Sequence, residues 1–274
     1  MHIDTISNIK FNKKIINYLS VLKPAATAIL LAPTKTDLND IIRYTLVDLM
    51  LKKVISVKHQ NIKLHPNDPY AQMRTIVETD KNFTTYRKSD FEKYFISIID
   101  EESYFQLRPY LLRIYHYTPL DNRMKKNILK EQKIQNLFSI SFAFDALGLF
   151  ILNKNGKKVR AELQRYFTTI DDNIVKIINE SPEQALQLVS FLKGNIFLLK
   201  NITVELLEKI NLLIKEQKKS NNNPYYDLFA MFDFSEVFFA EIAEEINETL
   251  SIIEKEFNNG RANTYDYDPI DFSD

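Results

Sequence analysis

The sequence predicts a mainly α-helical protein with two small β-hairpins and a long amphipathic helix near its carboxyl end. Apolar residues recur at helical spacing along most of the chain. Residues that favour helix starts, such as Thr36, Asp37 and Pro182, stand directly before several of these stretches. The strand-like runs are few and short, and turn residues border each of them. A hydrophobic content of 45% and a charged content of 26% are typical of a globular protein.

Helical spacing predicts nine helices. Pro24 ends the first, because proline has no amide hydrogen with which to continue the helical hydrogen bonds. Thr36 or Asp37 caps the second helix, and Ser89 or Asp90 caps the third. The predicted helices are residues 9–22, 37–53, 90–99, 104–117, 123–144, 159–178, 182–192, 204–218 and 224–258.

Two hairpins are predicted between these helices. The first consists of residues 54–57 and 62–64 on either side of a turn at 59–61. The second begins with a strand at 149–152, and a tight turn at 153–156 follows it. This turn contains an Asn-Gly pair, which is the strongest short signal for a hairpin.

Residues 44–64 and 142–163 share one order of features, which is an apolar helix, a strand, a turn and basic residues. In the second stretch Gly148 precedes the strand, and a Gly-Lys-Lys sequence follows it. This order resembles the closing half of winged-helix domains, in which a recognition-type helix is followed by a β-hairpin wing. The resemblance implies tandem winged-helix-like units, a fold that serves in DNA binding and in protein docking.

We expect the chain to be organised in four parts. Residues 1–85 are expected to form a winged-helix-like unit, and residues 86–219 a second helical unit with a hairpin wing. A polar linker, Lys-Lys-Ser-Asn-Asn-Asn-Pro at 218–224, follows. Residues 224–258 are predicted to form an acidic amphipathic helix, and residues 259–274 a flexible acidic and aromatic tail.

Basic residues near the two hairpins are candidate ligands for phosphate or another anion. In a DNA-binding protein they would neutralise backbone phosphates. Residues 142–150 are too apolar to read base edges, however, which favours a structural role for that helix. The candidate residues are Lys52, Lys53, Lys58, Lys63, Lys154, Lys157, Lys158 and Arg160.

Charge is distributed unevenly although the whole chain is neutral. From residue 220 onward there are 13 acidic residues and two basic ones, a net charge of about −11. Residues 1–219 therefore carry about +11. This asymmetry indicates an acidic segment that folds over a basic surface or competes for it, although a solvated acidic helix face would give the same count.

The composition argues against common catalytic sites. The chain has no cysteine and only four glycines, so it lacks thiolate chemistry, phosphate-cradling loops and nucleophile elbows. His59 and His65 have no third ligand at metal-binding spacing, and His116 is more typical of a packed or surface histidine. We therefore predict no catalytic residue, no cofactor and no metal. The absence of thiols and of a bilayer-spanning apolar run favours a cytoplasmic protein.

The favoured interpretation is a non-enzymatic interaction or adaptor protein whose partner is another protein. The first alternative is a winged-helix DNA-binding regulator with an autoinhibitory acidic segment. The second is an adaptor that binds anionic membrane lipids, because a set of basic residues would attract anionic headgroups. These residues are Lys10, Lys13, Lys14, Arg123, Lys125, Lys126, Lys130 and Lys133. Residues 46–57 also resemble the Golgi phosphoprotein family of phosphoinositide-binding adaptors. The sequence leaves the oligomeric state open. The candidate interaction residues are Phe232, Phe239, Tyr265, Tyr267 and Phe272.

Overall fold

The computed structural model describes residues 5–6, 9–10, 18–63, 69–101, 103–118, 121–139, 150–218 and 239–259. Within these ranges the protein is mainly helical and carries a small antiparallel sheet, which confirms the predicted fold class. Among the described helices, none combines the length and the apolar composition that crossing a bilayer requires.

The amino-terminal region departs from the predicted helix over residues 9–22. Strands β1 (Thr5–Ile6) and β2 (Ile9–Lys10) pair with each other in antiparallel register. Residues 18–21 are helical, as predicted, and residues 11–17 lie outside the described residues. The β-branched Ile6 and Ile9 are direct partners across the pair, and this pairing favours strand over helix.

Helix α1 (Pro24–Leu31) lies at the centre of the molecule. Its proline occupies the first turn, where a missing amide hydrogen costs nothing. Seven of its eight residues are buried, because α1 packs against four other elements. These are α2 (Leu38–Leu51), α5 (Asp121–Glu131), α6 (Lys154–Glu180) and the 3₁₀ segment Lys193–Leu198.

Helix α2 begins and ends with recognisable caps. The Asp37 side chain accepts a hydrogen bond from the Asp40 amide, as the sequence predicts. At the other end Lys53 adopts a left-handed conformation with φ of 55°. The Val54 amide donates to Leu49 O, which completes a Schellman motif without glycine.

The sheet follows α2 and has the order β3 (Ile55–Ile62), β4 (Gln72–Thr79) and β5 (Tyr104–Gln106). The predicted hairpin of residues 54–57 and 62–64 is therefore wrong, because its turn lies inside the continuous strand β3, which pairs with β4. Residues 59–61 continue the strand instead of turning it, and this polar stretch includes the half-buried His59 and the exposed Gln60 and Asn61.

The remaining helices follow the predicted order, but not all of the predicted bounds are correct. The helix predicted at 123–144 ends at Glu131, and the first three residues of the helix predicted at 104–117 form a strand. Short α3 (Lys93–Ile96) precedes β5, and α4 (Leu107–Tyr117) follows it directly. Helices α7 (Pro182–Leu192) and α8 (Val204–Lys218) match the predicted bounds. Helix α9 (Phe239–Asn258) is the described part of the predicted acidic helix.

The second predicted hairpin is wrong, because residues 153–156 begin helix α6. The Asn153 side chain accepts a hydrogen bond from the Gly156 amide at 2.9 Å, which is the geometry of a helix cap. A Cβ at Gly156 would overlap Leu137 O, so glycine allows the helix start to press against the chain at 137. Asparagine favours both turns and helix caps, and this distant contact is consistent with the cap.

Lysine also occupies a left-handed position after α5, and this gives a stability prediction. Lys133 has φ of 56°, and the Ile134 amide donates to Leu129 O. We expect Lys133→Gly to raise the free energy of unfolding by about 0.5–1 kcal/mol, since only glycine takes this conformation without strain. The control Lys130→Gly, inside α5, should lower it by a similar amount. Urea denaturation measures both, and a loss of stability in Lys133→Gly would contradict the account.

Candidate functional site: the surface under the carboxy-terminal helix

Helix α9 packs against the body of the protein along an apolar stripe. Its side chains Ile242, Ile246, Leu250 and Ile253 are all buried and recur at intervals of four, four and three residues. They lie against α2 and α4. We call the covered region the docking surface and define it by Asn39, Arg43, His59, Thr75, Arg108 and Tyr115.

Helix α2 contributes two polar contacts to the docking surface. Asn39 Nδ2 donates to Glu254 Oε2 at 2.7 Å. Arg43 Nη1 donates to Asn247 Oδ1 at a longer 3.3 Å, while its Nη2 pairs with Asp40 at 2.8 Å. Arg43 therefore gives its strong, charge-assisted hydrogen bond to its own helix and a weak one to α9.

The sheet contributes a chain of hydrogen bonds that ends on α9. The Thr75 hydroxyl donates to Glu245 Oε2 at 2.8 Å and lies 2.9 Å from His59 Nδ1. A threonine hydroxyl has one hydrogen, so Thr75 accepts from His59, and Nδ1 carries the proton. His59 Nε2 lies 4.0 Å from the same Glu245 oxygen. His59 and Thr75 thus position the Glu245 carboxylate.

Helix α4 holds the far end of α9. Arg108 Nη2 pairs with Glu256 Oε1 at 2.6 Å, and the rings of Tyr115 and Phe257 lie 4.8 Å apart. His116 is exposed and lies edge-on to Tyr117, as a surface histidine would. The ring of His116 also lies 6.5 Å from that of Phe257, so the last turn of α9 is held by one ion pair and by ring contacts of Phe257 with Tyr115 and His116.

Polar complementarity across the docking surface is incomplete. The buried atoms Asn39 Oδ1, Arg43 Nε and Glu256 Oε2 have no hydrogen-bond partner among the described residues. Each buried polar atom left in this state costs about 1–3 kcal/mol. The apolar stripe therefore provides the attraction, and the polar contacts do not fully compensate for the burial of the polar groups.

No family model matches the chain, and neither a curated protein nor a solved structure is similar to it at a significant level.

The predicted anion ligands fall into two separate sets. Lys52 pairs with Asp48 one helical turn earlier, Lys53 Nζ lies 3.9 Å from Asp80, and Lys58 Nζ lies 2.6 Å from Glu78. Three of the basic residues near the first hairpin thus have acidic neighbours within the body. Lys63 follows the end of β3 and is exposed.

The second set surrounds the start of α6. Lys154, Lys157 and Lys158 line an open groove of about 660 Å³ together with Ser139 and Asn153. Arg160 lies on the same helix and is half-buried. The structure thus brings three of the eight predicted basic residues together, on a helix start instead of a hairpin wing.

The predicted interaction residues are largely outside the described residues. Phe239 is the first residue of α9. Phe232, Tyr265, Tyr267 and Phe272 lie outside the described ranges, as does His65.

A buried charge cluster is the main polar feature that the sequence interpretation missed. Glu92, whose side chain is 1% exposed, pairs with Lys23 Nζ at 2.8 Å. It also accepts from Tyr86 OH at 2.9 Å and from Ser89 N at 2.9 Å. We call Lys23, Tyr86, Ser89 and Glu92 the Glu92 cluster. The pattern Ser-x-x-Glu, typical of a helix capping box, was its signal in the sequence.

The electrostatics of the Glu92 cluster are those of a fixed ion pair. Burial alone would raise the pKa of Glu92, but the Lys23 ammonium and the hydrogen bonds hold this pKa below its ordinary value. Burial, with the Glu92 charge beside it, raises the pKa of Tyr86, so the phenol stays protonated. Within the described residues, no group of three or more histidine or acidic side chains is placed to hold a metal ion.

The ion pair at the end of α9 gives a test of its contribution to docking. Arg108 and Glu256 are 44% and 25% exposed, so their pair contributes about 0.5–1 kcal/mol. We expect Arg108→Glu to increase amide hydrogen exchange in the last turns of α9 a fewfold. The double variant Arg108→Glu/Glu256→Arg should restore the exchange rate. A failure to restore it would mean that the Arg108–Glu256 ion pair does not stabilise the docked helix.

Proposed function

We propose that the protein is a non-enzymatic interaction or adaptor protein, and that its docking surface binds an amphipathic helix of a partner protein. The observation that supports this proposal is the way α9 packs on the docking surface. Four buried aliphatic anchors on one face, with carboxylates at the rim, form the arrangement of a helix bound in a groove. In this proposal α9 is the protein's own occupant of a binding surface.

The connection of α9 to the body is compatible with release. Twenty residues separate Lys218, the last residue of α8, from Phe239. Side-chain hydrogen bonds between α9 and the body join residues 148 to 215 positions apart in the sequence, such as Glu256 with Arg108 and Glu254 with Asn39. Detachment would therefore expose the docking surface without breaking hydrogen bonds inside α2, α4 or the sheet.

The two alternative functions have less support. A DNA-binding regulator and a lipid-binding adaptor both need basic side chains that are available to phosphates. Lys52, Lys53 and Lys58 have acidic neighbours of their own, and α9 lies over Arg43 and Arg108 instead of over these lysines. The groove lined by Lys154, Lys157 and Lys158 keeps both alternatives open to a salt-dependent heparin-binding assay.

A pair of substitutions on α9 tests the proposed function. Ile246 is fully buried against the body, whereas Ile252 on the same helix is 47% exposed. We expect Ile246→Asp to release α9 and increase the capture of partner proteins by chemical cross-linking in the native cell. Ile252→Asp adds the same charge and should leave capture unchanged. A soluble peptide of residues 239–258 should compete with the captured partner. Equal capture by the two variants, or capture that the peptide does not reduce, would contradict the proposal.

A further inference from the structure

Three carboxylates of α9 meet hydrogen-bond donors of the docking surface at short range. Glu245 meets the Thr75 hydroxyl at 2.8 Å, Glu254 meets Asn39 Nδ2 at 2.7 Å, and Glu256 meets Arg108 Nη2 at 2.6 Å. The three donors come from β4, α2 and α4, so each of these elements donates a hydrogen bond to one carboxylate of α9.

These carboxylates have fixed positions relative to the apolar anchors. Glu245 directly precedes the anchor Ile246, Glu254 directly follows the anchor Ile253, and Glu256 lies one helical turn after Ile253. Glu244 and Glu248 lie on the same helix but are exposed. The body therefore distinguishes acidic positions along a helix and does not respond to net negative charge alone.

We propose that the partner is an acidic amphipathic helix with apolar residues at positions i, i+4, i+8 and i+11 and carboxylates at i+3, i+12 and i+14. In α9 position i is Ile242. This inference rests on the proposed function and specifies the chemistry of its ligand. The apolar anchors supply affinity, and the three carboxylates supply register, because a shift by one residue removes all three from their donors.

The incomplete polar match of α9 makes its replacement feasible. Arg43 Nη1 donates to the neutral amide oxygen of Asn247 on α9, and Arg43 Nε has no hydrogen-bond partner among the described residues. A tethered occupant compensates for a modest fit, since its effective concentration is on the order of millimolar. A partner helix must therefore bind well enough to exceed this intramolecular competitor.

The test uses the full-length chain and fluorescent peptides of residues 239–258. Binding is measured by anisotropy to the wild type and to Ile246→Asp, in which α9 is released. We expect the peptide to bind Ile246→Asp at least about tenfold more tightly than the wild type, because the tethered helix no longer competes. Binding of equal strength to both proteins, or to neither, would overturn the inference.

Two peptides of equal net charge separate register from general electrostatic attraction. The first carries Glu245→Gln and Glu256→Gln, which remove facing carboxylates. The second carries Glu244→Gln and Glu248→Gln, which remove exposed ones. We expect the first peptide to bind about tenfold more weakly than the unmodified one and the second to bind within twofold of it, with circular dichroism confirming equal helicity. Equal loss in both peptides would overturn the inference.

The oligomeric state tests whether α9 of a second copy of this chain occupies the docking surface. If light scattering of the wild type gives a dimer that Ile246→Asp converts to a monomer, the occupant is α9 of a second copy, and the proposed partner is wrong. Partner capture that depends on Ile246 but is not affected by Glu245→Gln and Glu256→Gln in the competing peptide would overturn this inference alone. Capture that does not depend on Ile246 would overturn the proposed function.

Discussion

Replacing Glu92 by glutamine is expected to lower the free energy of unfolding by about 3 kcal/mol at neutral pH. The substitution preserves the shape of the side chain but leaves the Lys23 ammonium, which is 20% exposed, with only the more distant carboxylate of Glu131, at 3.8 Å. Urea denaturation measures the change. The control Asp90→Asn removes a neighbouring carboxylate that is 80% exposed, and it should leave the free energy of unfolding unchanged.

The effect of Glu92→Gln should depend on pH with a defined sign. Because the pKa of Glu92 is lowered in the folded protein, its contribution is complete above the ordinary value of about 4.5 and is lost as the pH falls through the folded pKa. The stability difference between the wild type and Glu92→Gln should therefore shrink as the pH falls from about 4.5 to about 3, because the Glu92 carboxylate becomes protonated and, like glutamine, neutral. A difference that stays constant over this range would exclude the ionised carboxylate as its cause.

Placing an aspartate at position 246 is expected to release α9 without unfolding the body. The substitution removes a fully buried aliphatic side chain and would bury a charge, which together cost about 3 kcal/mol or more. Undocking avoids this cost, because the helix can then expose the aspartate to water. Amide exchange in α9 should accelerate about a hundredfold, while exchange in α1 stays near its wild-type rate.

The matched variant Ile252→Asp identifies the cause of this release. Ile252 lies on the exposed side of α9 and does not belong to the apolar stripe. Its substitution should leave amide exchange in α9 within about twofold of wild type, because a surface change of this kind alters stability little. Acceleration of α9 in both variants would mean that charge on the helix, and not loss of the buried anchor, drives release.

The helical class and several helix starts could be predicted because they depend on neighbouring residues. Asp37 caps α2 through an amide three residues away, and Pro182 opens α7 in the same local manner. The predicted hairpin at 153–156 failed because the decisive contact is distant. Gly156 fits against Leu137 O, and no local pattern distinguishes this helix start from an Asn-Gly turn.

The docking surface could be predicted only in outline. The uneven charge left open whether the acidic segment folds over a basic surface, competes for it or forms a solvated helix face, and α9 packs against the body. Its charged partners are Arg43 and Arg108, however, and neither was among the eight predicted basic residues. The apolar stripe fixes where α9 lies, whereas Lys52 and Lys58 already have acidic neighbours in the body.

The Glu92 cluster also could be predicted only in part, because one of its residues comes from a distant segment. The Ser-x-x-Glu pattern marks a helix start, but it carries no information on Lys23, which approaches from 69 positions earlier in the chain. Likewise, the sequence gives no sign that Lys53 and Lys133 adopt left-handed conformations where other chains use glycine. The Lys23–Glu92 pair depends on packing between distant segments.

Native-state hydrogen exchange of the wild-type chain tests most directly whether α9 is a detachable occupant of the docking surface. The amides of α9 are expected to exchange through a local opening whose free energy is several kcal/mol below that of α1. In that case the helix leaves its surface while the core remains folded. Exchange of α9 and α1 with the same opening free energy would contradict this account, since α9 would then be an integral part of the core.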